Sequence, residues 1–381
     1  MEATDPRAIK KSFRSSNLYF VSARPFREKT LFRKRVSLDT LLMFTHRFYS
    51  LLEAGIPILS VLNILWRQTE DLTMQLVVSQ LTLRVEGGEN LSEALSDFPN
   101  IFPNIYIAMI TVGERGAGLV PLFRELTLYL EGQKQFISRA KRATLYPSIV
   151  LFIALLVMLF MFVFVVPTFE RVLRQINMEL PAVTEILMAI SNTIRTVYFP
   201  VAVVVLGFLG FHSYRVMKRI PAACRFLDHL KLRIPVLGEI IYILCLGRFV
   251  RSLSLLTGAG LQIIRSFDIA KTTIGNQKIL DGVNEVQGQI SQGISLYPAF
   301  RSVPIFPVIM LEMIGVSEQK GNFSEVLAKL AVHFDEKTDY LLNRFLTILE
   351  PALIITVGGI VGFILMGVYL PIFTLWKGFG G

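Results

Sequence analysis

Three stretches without a charged residue, 143–169, 196–214 and 351–376, constrain the fold of this chain more than any other feature. Charged residues make up only 18% of the chain, against about 25% in a typical soluble domain. Because about 20 apolar residues span a bilayer as a helix, we predict transmembrane helices at residues 147–167, 196–214 and 351–376. The alternative for each stretch is a buried helix of a large soluble protein, and three such runs in one chain argue against it.

The charge distribution predicts the orientation of these helices. The chain carries 39 Lys and Arg against 29 Asp and Glu, a net charge of +10, and most basic residues lie in residues 1–146 and 213–350. Cytoplasmic segments of membrane proteins are enriched in Lys and Arg. We therefore expect the N-terminus and both segments in the cytoplasm and the C-terminus on the opposite side. The N-terminus shows no secretory signal pattern, so we expect the internal spans to insert the protein.

The chain also contains an internal duplication. Residues 54–64 (AGIPILSVLNI) resemble residues 259–269 (AGLQIIRSFDI). Other pairs keep nearly the same offset, including the prolines that bracket the first and third spans: Phe44/Phe249, Pro147/Pro351 and Pro167/Pro371. Each repeat therefore includes its own membrane span.

The polar part of each repeat, residues 40–146 and 244–350, shows helical spacing of apolar residues and no sustained two-residue alternation. Glycines such as Gly55 and Gly260 predict helix ends, so we expect five or six short helices per repeat. The predicted fold is an all-α membrane protein with two homologous cytoplasmic helical bundles and three transmembrane helices. Its segments are a basic N-terminal segment (1–39), the first bundle (40–146), the first span (147–167), a non-cytoplasmic loop (168–195), the second span (196–214), a linker (215–243), the second bundle (244–350), the third span (351–376) and a tail (377–381).

A glycine-rich turn recurs in both repeats, as GERGAGL at residues 113–119 and SEQKGNF at residues 317–323. An acidic residue at the start of the following helix would stabilise that helix through its dipole. The alternative is a calcium ligand at Glu114, although calcium usually needs several oxygen ligands. No phosphate-loop pattern GxxxxGK[ST] occurs in the chain, which excludes ATP hydrolysis by that machinery.

Residues 7–35 contain ten Lys and Arg, with interleaved aromatic side chains. Next to a membrane protein's cytoplasmic face, this composition favours anionic lipid or an acidic protein partner, and we expect no nucleic acid to bind. The spans contain no charged residue, whereas transporters usually require ionisable groups inside the membrane. The pattern therefore favours a scaffold over a transporter or a membrane-tethered nucleic-acid binder.

Several motifs resemble those of one protein family. They are the juncture RAxxAxxYP at residues 139–147, the VVP sequence at residues 165–167, and Gly113-Glu114 followed by Leu119. The chain resembles the inner-membrane platform proteins of type II secretion and type IV pili, protein F and PilC, over about residues 40–375. Thr144 replaces an aliphatic residue of the family pattern, and Gly116-Ala117 replace its Ser-Gly.

The resemblance implies a non-enzymatic platform in the bacterial inner membrane, without catalytic or cofactor sites. Some members of the family are described with a calcium ion in the first bundle, but Val120 stands here in place of an acid after Leu119, so we expect no metal site. It implies a homo-oligomer that works with a hexameric assembly ATPase, pilins or pseudopilins, and other inner-membrane secretion components. Type II secretion is the first expectation, a type IV pilus the alternative, and a transporter a more remote one. The residues expected to form the structural motif are Gly113, Glu114, Gly116, Gly118, Leu119, Tyr146, Pro147, Pro167, Glu318, Gly321, Pro351 and Pro371.

Overall fold

The computed structural model describes residues 36–175, 181–196, 198–217 and 221–379, which form helices and short connections with no strand in these ranges. The predicted segment 1–39 lies almost entirely outside them. The first repeat contains α1 (Leu38–Glu53), α2 (Ile58–Gln68), α3 (Leu72–Glu86), α4 (Leu91–Ser96), α5 (Asn104–Val112) and α6 (Leu119–Phe160). Between the repeats lie α7 (Val166–Gln175), α8 (Ala182–Arg195), α9 (Tyr198–Met217) and α10 (Pro221–Arg233). The second repeat contains α11 (Leu237–Gly258), α12 (Ile263–Ala270), α13 (Gln277–Ser291), α14 (Leu296–Ser302), α15 (Val308–Lys320) and α16 (Phe323–Phe379).

The six helices of one repeat follow the same order as the six of the other, so α1–α6 correspond to α11–α16. Local signals account for several boundaries. Ser37 caps α1 by accepting a hydrogen bond from the Thr40 backbone, and Asp71 caps α3 through the Met74 backbone. Gly55 and Gly260 follow α1 and α11 with φ of 79° and 93°, a conformation that glycine adopts without steric cost.

Both bundles share one continuous apolar core. In the first repeat the Phe48 ring stacks on Phe123 with centroids 4.3 Å apart, which joins α1 to α6. In the second repeat Phe249 meets Phe267 edge to face at 5.5 Å. Aromatic pairs of this kind add stability beyond the burial of their surface. The fold is therefore all-α with two related bundles, as the sequence predicts.

The last helix of each repeat continues out of its bundle into an apolar stretch. Helix α6 has 42 residues and contains Pro147, and α16 has 57 residues and contains Pro351 and Pro371. At about 1.5 Å per residue, α16 is roughly 85 Å long, far more than a bilayer thickness. Each predicted bundle is thus joined to a predicted span by one uninterrupted helix.

In the part of the chain that the structure describes, three helices are long and apolar enough to cross a membrane: residues Leu119–Val172, Phe323–Pro371 and Leu237–Gly258. The first contains the predicted span 147–167, and the second contains residues 351–371 of the predicted span 351–376. In their most apolar windows only 11% and 17% of residues are buried, against 56% in Leu237–Gly258. The third helix, α11, packs mainly against α16 and carries Arg248 and Arg251, so it is a core helix of the second bundle.

The predicted second span, residues 196–214, falls largely on α9, whose apolar part from Val204 to Met217 is shorter than the other candidates. Its large side chains are exposed, including Val204 at 70% and Phe208 at 67%. An apolar helix that the other described residues leave exposed is suited to lipid. The predicted loop 168–195 includes α7 and the amphipathic helix α8, which packs against α7 and α16.

Candidate functional site

The glycine-rich turn of the first repeat, Gly113–Ala117, joins α5 to α6 and contains a kink at Gly116. Gly116 and Gly118 have φ of 135° and 83°, which side chains other than glycine rarely adopt. A Cβ at Gly113 would lie 2.8 Å from Leu119 Cδ2, and Leu119 packs against the core. Three glycines of the predicted motif are therefore explained by backbone geometry and close packing.

The Glu114 carboxylate caps a helix, although a different one from the helix that the sequence indicated. It accepts hydrogen bonds from the Ser92 backbone N–H, at 3.2 Å, and from the Ser92 hydroxyl. Ser92 lies in the first turn of α4, which precedes the turn in the chain, whereas the sequence interpretation placed the acid at the start of the following helix. The carboxylate thus satisfies free N–H groups at a helix N-terminus across the bundle.

The second repeat contains the equivalent capping contact. Glu318 accepts from the Leu296 N–H at 2.7 Å and from the Tyr297 N–H at 3.1 Å, both in the first turn of α14. Gly321 ends α15 in the left-handed region with φ of 69°. Within the described ranges, no group of three or more His, Cys, Asp or Glu residues that could hold a metal ion comes together.

Hydroxyl groups from α8 donate to two carbonyls near the prolines at the far ends of the first and third spans. Pro167 and Pro371 have no N–H, so each leaves a carbonyl one turn earlier without its helical donor. Ser191 donates to the Phe162 carbonyl at 2.6 Å, and Thr184 donates to the Gly367 carbonyl at 2.8 Å. Just before Pro167 the helix forms a π turn, Met161–Val165, which explains why the open carbonyl is that of Phe162.

The contact between α8 and the two spans is buried and close. Thr184 and Ser191 are 1% and 0% exposed, and they lie seven residues apart on one face of the helix. A Cβ at Gly367 would lie 2.9 Å from Leu187 Cδ2. Sequence reasoning did not single out Thr184 or Ser191. The available signal was the pair of hydroxyl residues on the apolar face of an amphipathic helix beside two proline-ended spans.

At the near ends of the spans, Pro147 and Pro351 lie inside α6 and α16 without ending either helix. Tyr146, next to Pro147, is 60% exposed. Arg139 on α6 forms an ion pair with Asp339 on α16 just before the spans begin. The structure therefore does not gather the predicted motif into one site: it divides the residues among two helix-capping turns and the two ends of the spans.

The two repeats also enclose a cleft of about 490 Å³ between their bundles. Tyr129 of α6, 7% exposed, and Ile105 of α5 line it from the first repeat, and Arg248 and Thr273 line it from the second. A groove of about 330 Å³ between the spans has only apolar lining, including Val157 and Val361, which are equivalent in the two repeats.

Comparison with known proteins identifies the class. The family model described as "Type II secretion system (T2SS), protein F" matches residues 44–167 and again 249–371, the segments of the internal duplication. The chain belongs to this family, whose members are non-enzymatic platform proteins of secretion and pilus systems in the inner membrane.

Three relatives illustrate the relationship. "Type IV pilus assembly protein PilC" of Myxococcus xanthus is 30% identical over 98% of this chain and 91% of the relative. The protein of the same name from Thermus thermophilus is 32% identical over 89% and 83%. "Type II secretion system protein F" of Aeromonas hydrophila is 27% identical over 91% and 88%.

Proposed function

We propose that this protein is an inner-membrane platform that couples a cytoplasmic hexameric assembly ATPase to the assembly of pilin-like subunits into a fibre. The observation that carries the proposal is the continuity of α6 and α16 from bundle to span. A helix that stays continuous from bundle to span transmits a displacement of the bundle into the membrane, where an apolar groove between the spans can contact another apolar helix.

Between the two systems, we assign the protein first to a type IV pilus and second to type II secretion. The identity to the two pilus proteins, 30% and 32%, exceeds the 27% identity to the secretion protein. This order reverses the expectation from the sequence alone. The second assignment keeps its support from the shared family model.

Copurification tests both the platform and the system. The intact protein is crosslinked mildly in its native membranes, isolated in detergent, and its companions are identified by mass spectrometry. An assembly ATPase with pilins and a retraction ATPase would support the pilus assignment, and an ATPase with pseudopilins would support secretion. Recovery of other membrane complexes without any assembly ATPase would contradict the platform role.

We further propose the topology expected from the sequence: the N-terminus and both bundles cytoplasmic, three spans with α9 as the second, and α8 on the opposite side. Single cysteines at Glu185 on α8 and Glu285 on α13 test it, in a variant without Cys224 and Cys245. A membrane-impermeant maleimide should label Glu185→Cys in spheroplasts and Glu285→Cys only after the membrane is opened. The reverse labelling would contradict this topology.

A further inference from the structure

Helix α8 lies across the two spans that it contacts. Thr184 donates to the Gly367 carbonyl in α16, and Ser191 donates to the Phe162 carbonyl just beyond the end of α6. The two hydroxyl residues are seven positions apart, which is about 10 Å along a helix axis. Helices that pack side by side are separated by about 8–10 Å, and α6 and α16 contact each other. The axis of α8 therefore runs from one span to the other and not along either of them.

The two accepting carbonyls lie deep in the charge-free stretches. The stretch 143–169 has its midpoint at residue 156, and Phe162 lies about 9 Å beyond that residue along the helix. The stretch 351–376 has its midpoint at residues 363–364, and Gly367 lies about 5 Å beyond it. The hydrocarbon core extends about 15 Å to each side of the membrane midplane. With each stretch centred on the membrane, both carbonyls lie inside the hydrocarbon, and a tilt of the spans brings them closer to the midplane.

The contacts of α8 suit this depth. Hydrocarbon offers no water to a carbonyl that lacks its helical donor, and Ser and Thr side chains of a neighbouring helix supply the missing donor there. Leu187 and Met188 of α8 pack with Ile364 and Val368 of α16 in a buried apolar cluster. Ile364 also lines the groove between the spans, whose lining residues are all apolar. The side of α8 that faces the spans is therefore continuous with their apolar surface.

The side of α8 that faces away from the spans is apolar as well. Given the periodicity of an α-helix, Ile186 and Ile190 lie opposite the contact side, and they are 54% and 38% exposed. None of the exposed residues on that side carries a charge. We refer to them as the outer face: Ala182, Ile186, Ala189, Ile190 and Thr193.

The charged residues of α8 are confined to one flank between these two sides. Glu185, Asn192 and Arg195 are exposed there, and we refer to them as the polar flank. Val183 and Ile194 lie on the opposite flank. A helix that lies in the plane of a membrane has this distribution, with one flank toward water and the rest toward apolar surroundings. Helix α8 has 14 residues, too few for a span but typical of a helix at the membrane interface.

We infer that α8 lies in the plane of the membrane, inside the leaflet on the side of Pro167 and Pro371, with its outer face against lipid acyl chains. The polar flank then points to the headgroups of that leaflet, so the charges of Glu185 and Arg195 keep their hydration. Water does not occupy the outer face, because the carbonyls that α8 contacts lie within the hydrocarbon. The inference goes beyond the proposed function. It requires that α6 and α16 cross the membrane and does not depend on the direction in which they cross.

Spin labels on α8 test this placement. The variants are Ile186→Cys and Ile190→Cys on the outer face and Glu185→Cys on the polar flank, each in the full-length protein with Cys224→Ser and Cys245→Ala. The purified proteins are labelled with a nitroxide and reconstituted into vesicles of phosphatidylethanolamine and phosphatidylglycerol. Power-saturation EPR then measures how often the label collides with oxygen, which concentrates among acyl chains, and with a water-soluble nickel chelate.

Two further positions calibrate the measurement. Phe152→Cys lies in the first span, where Phe152 is 61% exposed, and provides the lipid reference, while Glu285→Cys on α13 provides the water reference. We expect the oxygen-to-nickel collision ratio at Ile186→Cys and Ile190→Cys to match that of Phe152→Cys and to exceed that of Glu285→Cys several-fold. Glu185→Cys, one residue from Ile186, should favour the nickel chelate. Thermal unfolding of each labelled variant checks that it folds, and either outer-face position suffices for the test.

Three results would overturn the inference. Nickel collisions at the outer face as frequent as at Glu285→Cys would place α8 in water. Few collisions with either reagent would show that protein covers the outer face in place of lipid. A ratio at Phe152→Cys as low as that at Glu285→Cys would show that α6 does not cross the membrane, and the inference would fail together with the span.

Discussion

Two carboxylates, Glu114 and Glu318, hold the fourth helix of each bundle in place by accepting from its first turn. The helices concerned have only 6 and 7 residues. Isolated helices of this length are unstable in water, so their ends depend on partners elsewhere in the bundle. At the residue scale, this contact explains why an acidic residue lies at the C-terminal end of the fifth helix in both repeats.

Replacing Glu114 by alanine removes the acceptor for the Ser92 N–H and hydroxyl. We expect a loss of about 1–2 kcal/mol in the free energy of unfolding, measured by thermal or chemical unfolding in detergent. Glu114→Gln keeps an acceptor and should cost less, and Glu318→Ala should behave like Glu114→Ala. A calcium-dependent rise in the melting temperature of the native protein that Glu114→Gln abolishes would contradict the purely structural role.

Burial of Tyr106 makes the first bundle sensitive to high pH. The side chain is 1% exposed, and its hydroxyl lies 3.1 Å from that of Thr45, which itself donates to the Leu41 carbonyl. Burial raises the pKa of Tyr106 above its ordinary value near 10. The unfolded chain therefore loses this proton at lower pH than the folded one, so stability is complete below about pH 10 and falls as pH rises above it.

Tyr106→Phe removes this titration. We expect its free energy of unfolding to fall less steeply than that of the native protein between about pH 10 and 11, as measured by denaturant unfolding at each pH. Tyr340→Phe, at a site that is 58% exposed, serves as the control and should keep the native slope. Equal slopes for all three proteins would show that Tyr106 ionises as readily when folded as when unfolded.

At the scale of elements, α8 supplies hydrogen-bond donors to two helices in which a proline leaves a carbonyl without one. Thr184→Val and Ser191→Ala should each lower stability by about 1 kcal/mol, because a buried carbonyl then loses its donor. The matched control is Thr193→Val, whose hydroxyl is exposed and bonds within its own helix to Ala189 at 2.8 Å. Unfolding in detergent should show little change for this control.

A double-mutant cycle tests whether the Thr184 hydroxyl stabilises the protein by replacing the donor that Pro371 lacks. In a Pro371→Ala background the helix regains an N–H for the Gly367 carbonyl, so Thr184→Val should cost less than half of what it costs in the native protein. Equal costs in the two backgrounds would mean that Thr184 contributes by packing alone. The same cycle applies to Ser191 with Pro167.

At the scale of the whole molecule, α6 and α16 connect bundles to spans without a break. Inserting four glycines after Arg142 should interrupt α6 between bundle and span, because glycine is a poor helix former. If the protein is a fibre-assembly platform, this variant should be inserted and folded but unable to support fibre assembly. Four alanines at the same place shift the register equally and keep the helix stiff.

The comparison of the two insertions separates stiffness from register. We expect fibre assembly, measured as surface fibres in a strain lacking the native protein, to be higher with the alanine insertion than with the glycine insertion. Equal loss in both would attribute the defect to register, including the Arg139–Asp339 pair. Full assembly with the glycine insertion would contradict the proposal that α6 transmits displacements of the bundle into the membrane.

Much of this architecture could be read from local patterns. Charge-free runs of 20 or more residues have few alternatives to a membrane helix, and the repeated prolines and glycines established the duplication. Gly55 and Gly260 mark helix ends because a positive φ is a property of a single residue. The sequence by itself therefore determined the helical class, the two repeats and the spans that end each of them.

The contacts between elements were decided by the tertiary structure. The partner of Glu114 is Ser92 in α4, a contact between residues that no local rule pairs. α11 is apolar enough to resemble a span, and its burial against α16 identifies it as a core helix. Thr184 and Ser191 gain their role from prolines far away in the chain. Helix propensity and hydropathy are properties of local stretches of the chain, so the sequence determined the elements. Hydrogen-bond partners and burial depend on how the helices pack in space, so only the tertiary structure determined their contacts.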